Sequence, residues 1–80
     1  MKQKYIYDRN GSVKAVIYED DSTATVIALG KGAIGTVFKS DVFPHIALYG
    51  SDIVGSADDV DSAAGLILEE DARRNLNKKR

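Results

Sequence analysis

Between residues 13 and 38 the chain reads VKAVIY, TATVIALG and AIGTVF, three short runs rich in β-branched residues and separated by turn formers. Runs of this kind fit pleated, half-buried strands, and breaks of this length join neighbouring strands antiparallel, so a three-stranded meander is predicted. No other feature of the 80 residues constrains the fold as tightly. A chain of this size forms one domain and buries only about 60–65 per cent of the surface its unfolded form exposes. It contains no cysteine, so neither a disulfide nor a thiolate metal site is available and packing must hold the fold.

Alternation sorts the meander into two faces. Val13, Ala15, Ile17, Ala24, Val26, Ala28, Ala33, Gly35 and Val37 fall on one, which is mostly small. Val16, Tyr18, Ile27, Leu29, Ile34 and Phe38 fall on the other, which is bulky and interrupted by Lys14, Thr25 and Thr36. The chain supplies one helix to cover them. Ser56 is placed to cap it, with Asp58, Asp59 and Asp61 in the first turns and the basic residues 73–80 at its end, both suited to the helix dipole. At about 100° per residue, Ala57, Val60, Ala63, Ala64, Ile67 and Leu68 share one arc, and their small size matches the small face. Gly65 costs about 1 kcal/mol relative to Ala inside a helix, which predicts a tight contact there. Asp71 takes the next core-facing position with Arg74 in reach as a partner, Leu66 points away from the docking arc, and a basic tail over residues 75–80 frays.

A further strand is expected at residues 4–8, joined to the meander through Asn10-Gly11, a pair suited to a type I′ hairpin turn. Residues 19–23 form an exposed loop of Asx-type turn formers. Beyond Pro44, residues 45–49 read as one more strand, with a short helix over residues 41–48 capped by Ser40 as the competing reading. Gly50, Ser51, Asp52 and Gly55 read as turn residues around Ile53 and Val54. The expected fold is α+β: one domain over residues 1–80, an antiparallel sheet of four to five strands in meander order, and one C-terminal helix packed on one face.

No constellation points to catalysis. Gly30-Lys31-Gly32-Ala33-Ile34-Gly35 matches GxGxxG formally, but a dinucleotide site needs a helix opening at the last glycines. Here TVFKSDVFP follows, which continues as a strand. His45 is the only histidine, and no spacing brings Ser40 or Ser51 and an aspartate to it as a nucleophile, base and orienting group would require. The aspartates at 58, 59 and 61 suit a helix start, not the alternating ligands of a calcium loop. No cofactor, metal or catalytic residue is therefore assigned. No apolar run approaches the roughly 18–20 residues that span a bilayer, and MKQKYIYDRN lacks an apolar signal core, so a cytoplasmic protein without membrane contact is expected.

The net charge of −1 conceals an uneven layout: residues 1–40 hold six Lys/Arg against four Asp/Glu, residues 41–72 hold eight acids and no Lys or Arg, and residues 73–80 hold five bases. An acidic half steers toward a basic partner surface, such as that of a nucleic-acid-handling protein. Asp58, Asp59, Asp61, Glu69 and Glu70 are the residues expected to meet it. One helix shields one face only, so the bulky face needs either the segment around residues 42–54 folded across it or a second protein chain. If it is a chain, Tyr18, Ile27, Ile34 and Phe38 form the dimer or apolar contact. Charge asymmetry, small size and the lack of a catalytic constellation favour a non-enzymatic module that docks on another protein; in length and style the sequence is similar to small accessory and inhibitor proteins of bacteriophages, anti-CRISPR proteins among them, a likeness of profile that covers no motif and transfers no residue. The alternative is a small nucleic-acid-binding domain that lays its sheet in a groove, using Lys4, Lys14 and Lys39 with the basic tail.

Overall fold

The computed structural model describes residues 2–40 and 44–78. Strands β1 (Lys2–Tyr7), β2 (Val13–Glu19), β3 (Thr23–Ala28), β4 (Gly32–Phe38), β5 (His45–Tyr49) and β6 (Asp52–Ala57) precede a single helix, α1 (Val60–Lys78). The strands form one antiparallel sheet in the order β1-β2-β3-β4-β5-β6, each paired with its chain neighbour. The α+β class and the meander stand, with more strands than the four to five expected. The extra strand is β6. Gly50-Ser51 is a two-residue hairpin loop closed by the Tyr49–Asp52 pair, and Gly50 has φ 61°, the requirement at the first central position of a type II′ turn. Residues 45–49 are a strand, not the competing helix; Asp41, Val42 and Phe43, where that helix would have begun, lie outside the described residues.

Turn chemistry differs from expectation at the first hairpin. Asn10 does not take a positive φ, whereas Gly11 does, at 85°. Gly11 N–H donates to the Asp8 carbonyl (3.1 Å) and Asp8 N–H to the Ser12 carbonyl (2.8 Å), the pattern of a type I turn closed by a left-handed glycine. The Asp8 carboxylate also accepts from the Asn10 and Ser12 N–H groups at 2.8 and 3.0 Å. That side-chain clamp favours the longer loop over the type I′ turn.

Helix α1 lies across β3, β4, β5 and β6. Ala63, Ala64 and Ile67 of the helix are fully buried against Ile17, Ala24, Val26, Val37 and Ala47 of the sheet, the small-on-small packing expected. Gly35 permits the approach, since a Cβ there would lie 2.7 Å from Ile67 Cγ2 and collide with the Leu48 carbonyl oxygen. The cap is Asp59, not Ser56: Ser62 N–H donates to the Asp59 carboxylate at 2.7 Å, while Ser56 and Ala57 remain in β6. Aspartate satisfies the orphan N–H three residues on at least as well as serine, and β6 uses the backbone that the earlier start would have needed. Leu66 does not point away; it packs against the core over Gly55.

Candidate functional site

Three bulges decide what each face of the sheet carries. The pairing steps over Lys14 between β1 and β2, over Ile34 between β3 and β4, and over Val54 between β5 and β6. An extra residue in one strand breaks the strict alternation of side chains. Ile34 therefore joins the helix-side core at 9% exposure, and Ala33 instead pairs with Ile27. This removes Ile34 from the expected apolar contact. Val54 likewise packs into the core, and Lys14 lines a groove beside the helix.

Register then defines two sets of cross-strand rows. On the helix side run Lys4–Ile17–Val26–Gly35–Tyr49–Asp52 and Lys2–Glu19–Ala24–Val37–Ala47–Gly55. On the opposite side run Gln3–Tyr18–Thr25–Thr36–Leu48–Ile53, Tyr5–Val16–Ile27–Ala33 and Thr23–Phe38–Ile46–Ser56. These last rows contain no Asp, Glu, Lys or Arg. Among the described residues nothing lies across them, because β5 and β6 extend the sheet instead of folding over it. Residues 45–54, described within the segment that was one of the two candidate covers, enlarge the uncovered face instead. Tyr5 is 48% exposed, Phe38 47% and Ile53 71%, while Tyr18, Ile27, Ile46 and Leu48 are half-buried among their neighbours. Depletion of charge and enrichment in aromatic residues is the compositional mark of the core of a protein interface.

The expected acidic contact residues are not gathered into one patch. Asp58 and Asp59 stand exposed at the helix start, and the Ser62 backbone N–H holds the Asp59 carboxyl below its usual range. Asp61 pairs with Lys4 of β1 at 2.9 Å, and that hydrogen bond raises the Lys4 pKa. Glu69 is exposed beside the same groove. Glu70 lies on another side of the helix, bonded to Arg73 and, at 2.7 Å, to Arg74, which also reaches Asp52 at 3.2 Å. Asp71 takes Lys31 as its partner in place of Arg74, accepting from its ammonium at 2.9 and 3.0 Å and from the Tyr49 hydroxyl at 2.8 Å. The bond to the Asp71 carboxylate, helped by burial, raises the Tyr49 pKa, and the Arg74 guanidinium sits 4.4 Å above the Tyr49 ring. Much of the acidic half is thus neutralised by bases from elsewhere in the chain.

The strand lysines serve the same purpose. Lys39 donates to Glu19 at 2.9 Å and to the Asp20 carbonyl at 2.6 Å, which lowers the Glu19 pKa; with Lys2 and Lys4 it belongs to the helix side. His45 Nδ1 accepts the Ser40 N–H at 3.2 Å. The GxGxxG stretch opens β4 and no helix. Because α1 sits over β3 to β6, a groove of about 540 Å³ remains beside β1 and β2, lined by Ile6, Lys14, Gly65, Leu68 and Glu69 among others. Gly65 has open space, not a neighbour, where a Cβ would stand, so the tight contact expected there is absent. Among the described residues no helix is long and apolar enough to cross a membrane. Searches against protein-family models, curated proteins and solved structures find no match.

Sequence pattern located Tyr18, Ile27 and Phe38 on the open face. It missed Tyr5, Ile46, Leu48 and Ile53: β1 was read as residues 4–8 without a face assigned to it, β5 was read at its observed bounds but weighed as a cover over the sheet, and β6 was not read as a strand. The Gly50-Ser51 pair between two apolar runs was the signal that could have found the last two.

Proposed function

We propose that this chain is a non-catalytic binding module whose working surface is the open face of its sheet, turned toward another protein surface. The observation that carries this is the charge-free set of rows across all six strands, bearing exposed Tyr5, Phe38 and Ile53. Large apolar side chains left in water forgo roughly 1.5–3 kcal/mol each when fully exposed, and burial against a partner recovers part of that. An accessory or inhibitor role fits such a surface, since occupancy alone would suffice.

The acidic residues have a secondary part in this reading. Asp58, Asp59 and Glu69, exposed on the helix side, would steer the module toward a basic partner, while Asp61 and Glu70 are engaged within the chain. A duplex-reading sheet would need cations on its open face. Lys4 and Lys39 instead pair on the helix side, which argues for protein over nucleic acid.

A photo-crosslinking amino acid at Thr36, in the middle of the open face, and at Asp58, at the helix start, separates the readings. Adducts to protein from position 36 are expected. Adducts from position 58 alone would transfer the contact to the acidic helix end, nucleic-acid adducts from position 36 would favour the alternative, and silence at position 36 in cells would remove the face from consideration.

A further inference from the structure

We infer that the occupant of the open face is a second copy of this chain, the two sheets stacked face to face about a two-fold axis. This rests on the face being the working surface and names its partner. The area of the face suits a second copy. Six strands about 4.8 Å apart, of five to seven residues each at about 3.3 Å, outline roughly 500 Å² per copy, even before the relief of the side chains is counted. Two such faces reach about 1,000 Å², the least that a biological interface is expected to bury. A folded monomer of 8.7 kDa is expected to expose about 4,700 Å². This chain exposes 5473 Å², more than that, with the open face and the exposed end of α1 around Leu76 both contributing.

Its lack of charge does too. An isologous contact sets each residue against its own kind or a symmetry mate, so any charged row would meet like charge. The open face has none, whereas the helix side carries every strand Lys and Glu. A charge-free face also offers a foreign partner little electrostatic steering.

Its shape is self-complementary. Consider a two-fold axis running along the strands between β3 and β4, the middle of the sheet order. It lays the row Gln3–Tyr18–Thr25–Thr36–Leu48–Ile53 on itself in reverse. Tyr18 then meets Leu48 of the second copy, Gln3 meets Ile53, and Thr25 meets Thr36. The tyrosine flank falls on the aliphatic flank, and hydroxyls meet hydroxyls at the centre, where burial requires that they be paired. The assembly is a helix–sheet–sheet–helix sandwich with sheets about 10 Å apart, and it leaves both helix starts, with Asp58 and Asp59, facing outward.

Light scattering with the full chain tests this. A mass of twice 8.7 kDa is expected at high micromolar concentration. Thr25→Lys sets a lysine against the second copy's central row and should weaken association by about 100-fold or more. Ile53→Lys, at an edge strand where the side chain is already 71% exposed, should weaken it less, about 10-fold, and keeps the test open if Thr25→Lys does not fold. Asp58→Lys should leave the mass unchanged. A wild-type monomer at millimolar concentration overturns the inference, as does a dimer indifferent to both face substitutions. The crosslinker at position 36 distinguishes that failure from failure of the broader reading: adducts to other proteins without self-adducts sink only the dimer, and silence sinks both.

Discussion

The two sides of this sheet share a backbone and differ in almost everything else. On the helix side the rows hold Ala24, Val26, Gly35, Val37 and Ala47, with Lys2, Lys4, Glu19 and Asp52 at their ends. On the open side the rows hold tyrosine, phenylalanine, leucine and isoleucine around threonines, with no charge. A close-packed helix requires small residues beneath it, and charged residues at the rim can pair with the helix's own acids. A face kept for another sheet needs bulk to fill the interval between sheets and cannot tolerate an unpaired charge. The contrast is one of what each side packs against, and it can be tested one residue at a time.

The largest effect is expected within β4, where neighbouring positions face opposite ways. Gly35→Val places side-chain atoms into Ile67 and the Leu48 carbonyl and should cost about 3 kcal/mol or more in urea unfolding. Ala33→Val, two residues earlier on the exposed side, should change stability by no more than about 0.5 kcal/mol. Equal costs at the two sites would mean that the open face is packed against something in the monomer.

Next comes the buried carboxylate at the helix side's edge. Asp71 is 8% exposed, and Asp71→Ala strips partners from the Lys31 ammonium and the Tyr49 hydroxyl. Leaving such groups unsatisfied costs about 1–3 kcal/mol, toward the lower end here because Lys31 reaches water. Because the folded state raises the Tyr49 pKa, it favours the protonated phenol. Its stabilisation is complete below the unfolded value of about 10 and is lost as pH rises through the higher folded value. Melting temperature followed from about pH 8 to 11 should therefore fall less steeply in Tyr49→Phe than in the wild type.

A smaller effect separates two claims about the helix start. Asp59→Ala removes the acceptor of the Ser62 N–H and should cost about 1 kcal/mol, whereas Ser56→Ala, an exposed site in β6, should be close to neutral. The reverse ranking would return the cap to Ser56.

These sites also show where the sequence could be read and where it could not. The meander, the small helix-docking face and the Ala63, Ala64, Ile67 stripe follow from alternation and helical period, because each is a repeat within one element. Bulges are not repeats. Ile34 and Ala33 exchanged sides because one residue was added to β4 without changing composition, so strict alternation misplaced both. The fate of the acidic half was hidden for a related reason: Lys4–Asp61 and Lys31–Asp71 are 57 and 40 residues apart, and only the closed fold brings them together. The β6 strand was missed because its Gly55 and Ser56 resemble turn residues, although they lie within a paired edge strand.

Gly65 gives the smallest expected effect, and one of opposite sign. It was read as a glycine required by close packing, as Gly35 is, yet nothing lies within 4 Å of a Cβ placed there. Glycine inside a helix costs about 1 kcal/mol relative to alanine through lost backbone freedom. With no clash to oppose it, Gly65→Ala should raise stability by about 0.5–1 kcal/mol, visible as a higher urea midpoint with an unchanged slope. The two glycines then calibrate the comparison between regions: β3 to β6 lie tight beneath α1, while β1 and β2 leave the groove of about 540 Å³ open. A destabilising Gly65→Ala would show that this groove closes in solution, with β1 and β2 packed as tightly under the helix as the rest of the sheet.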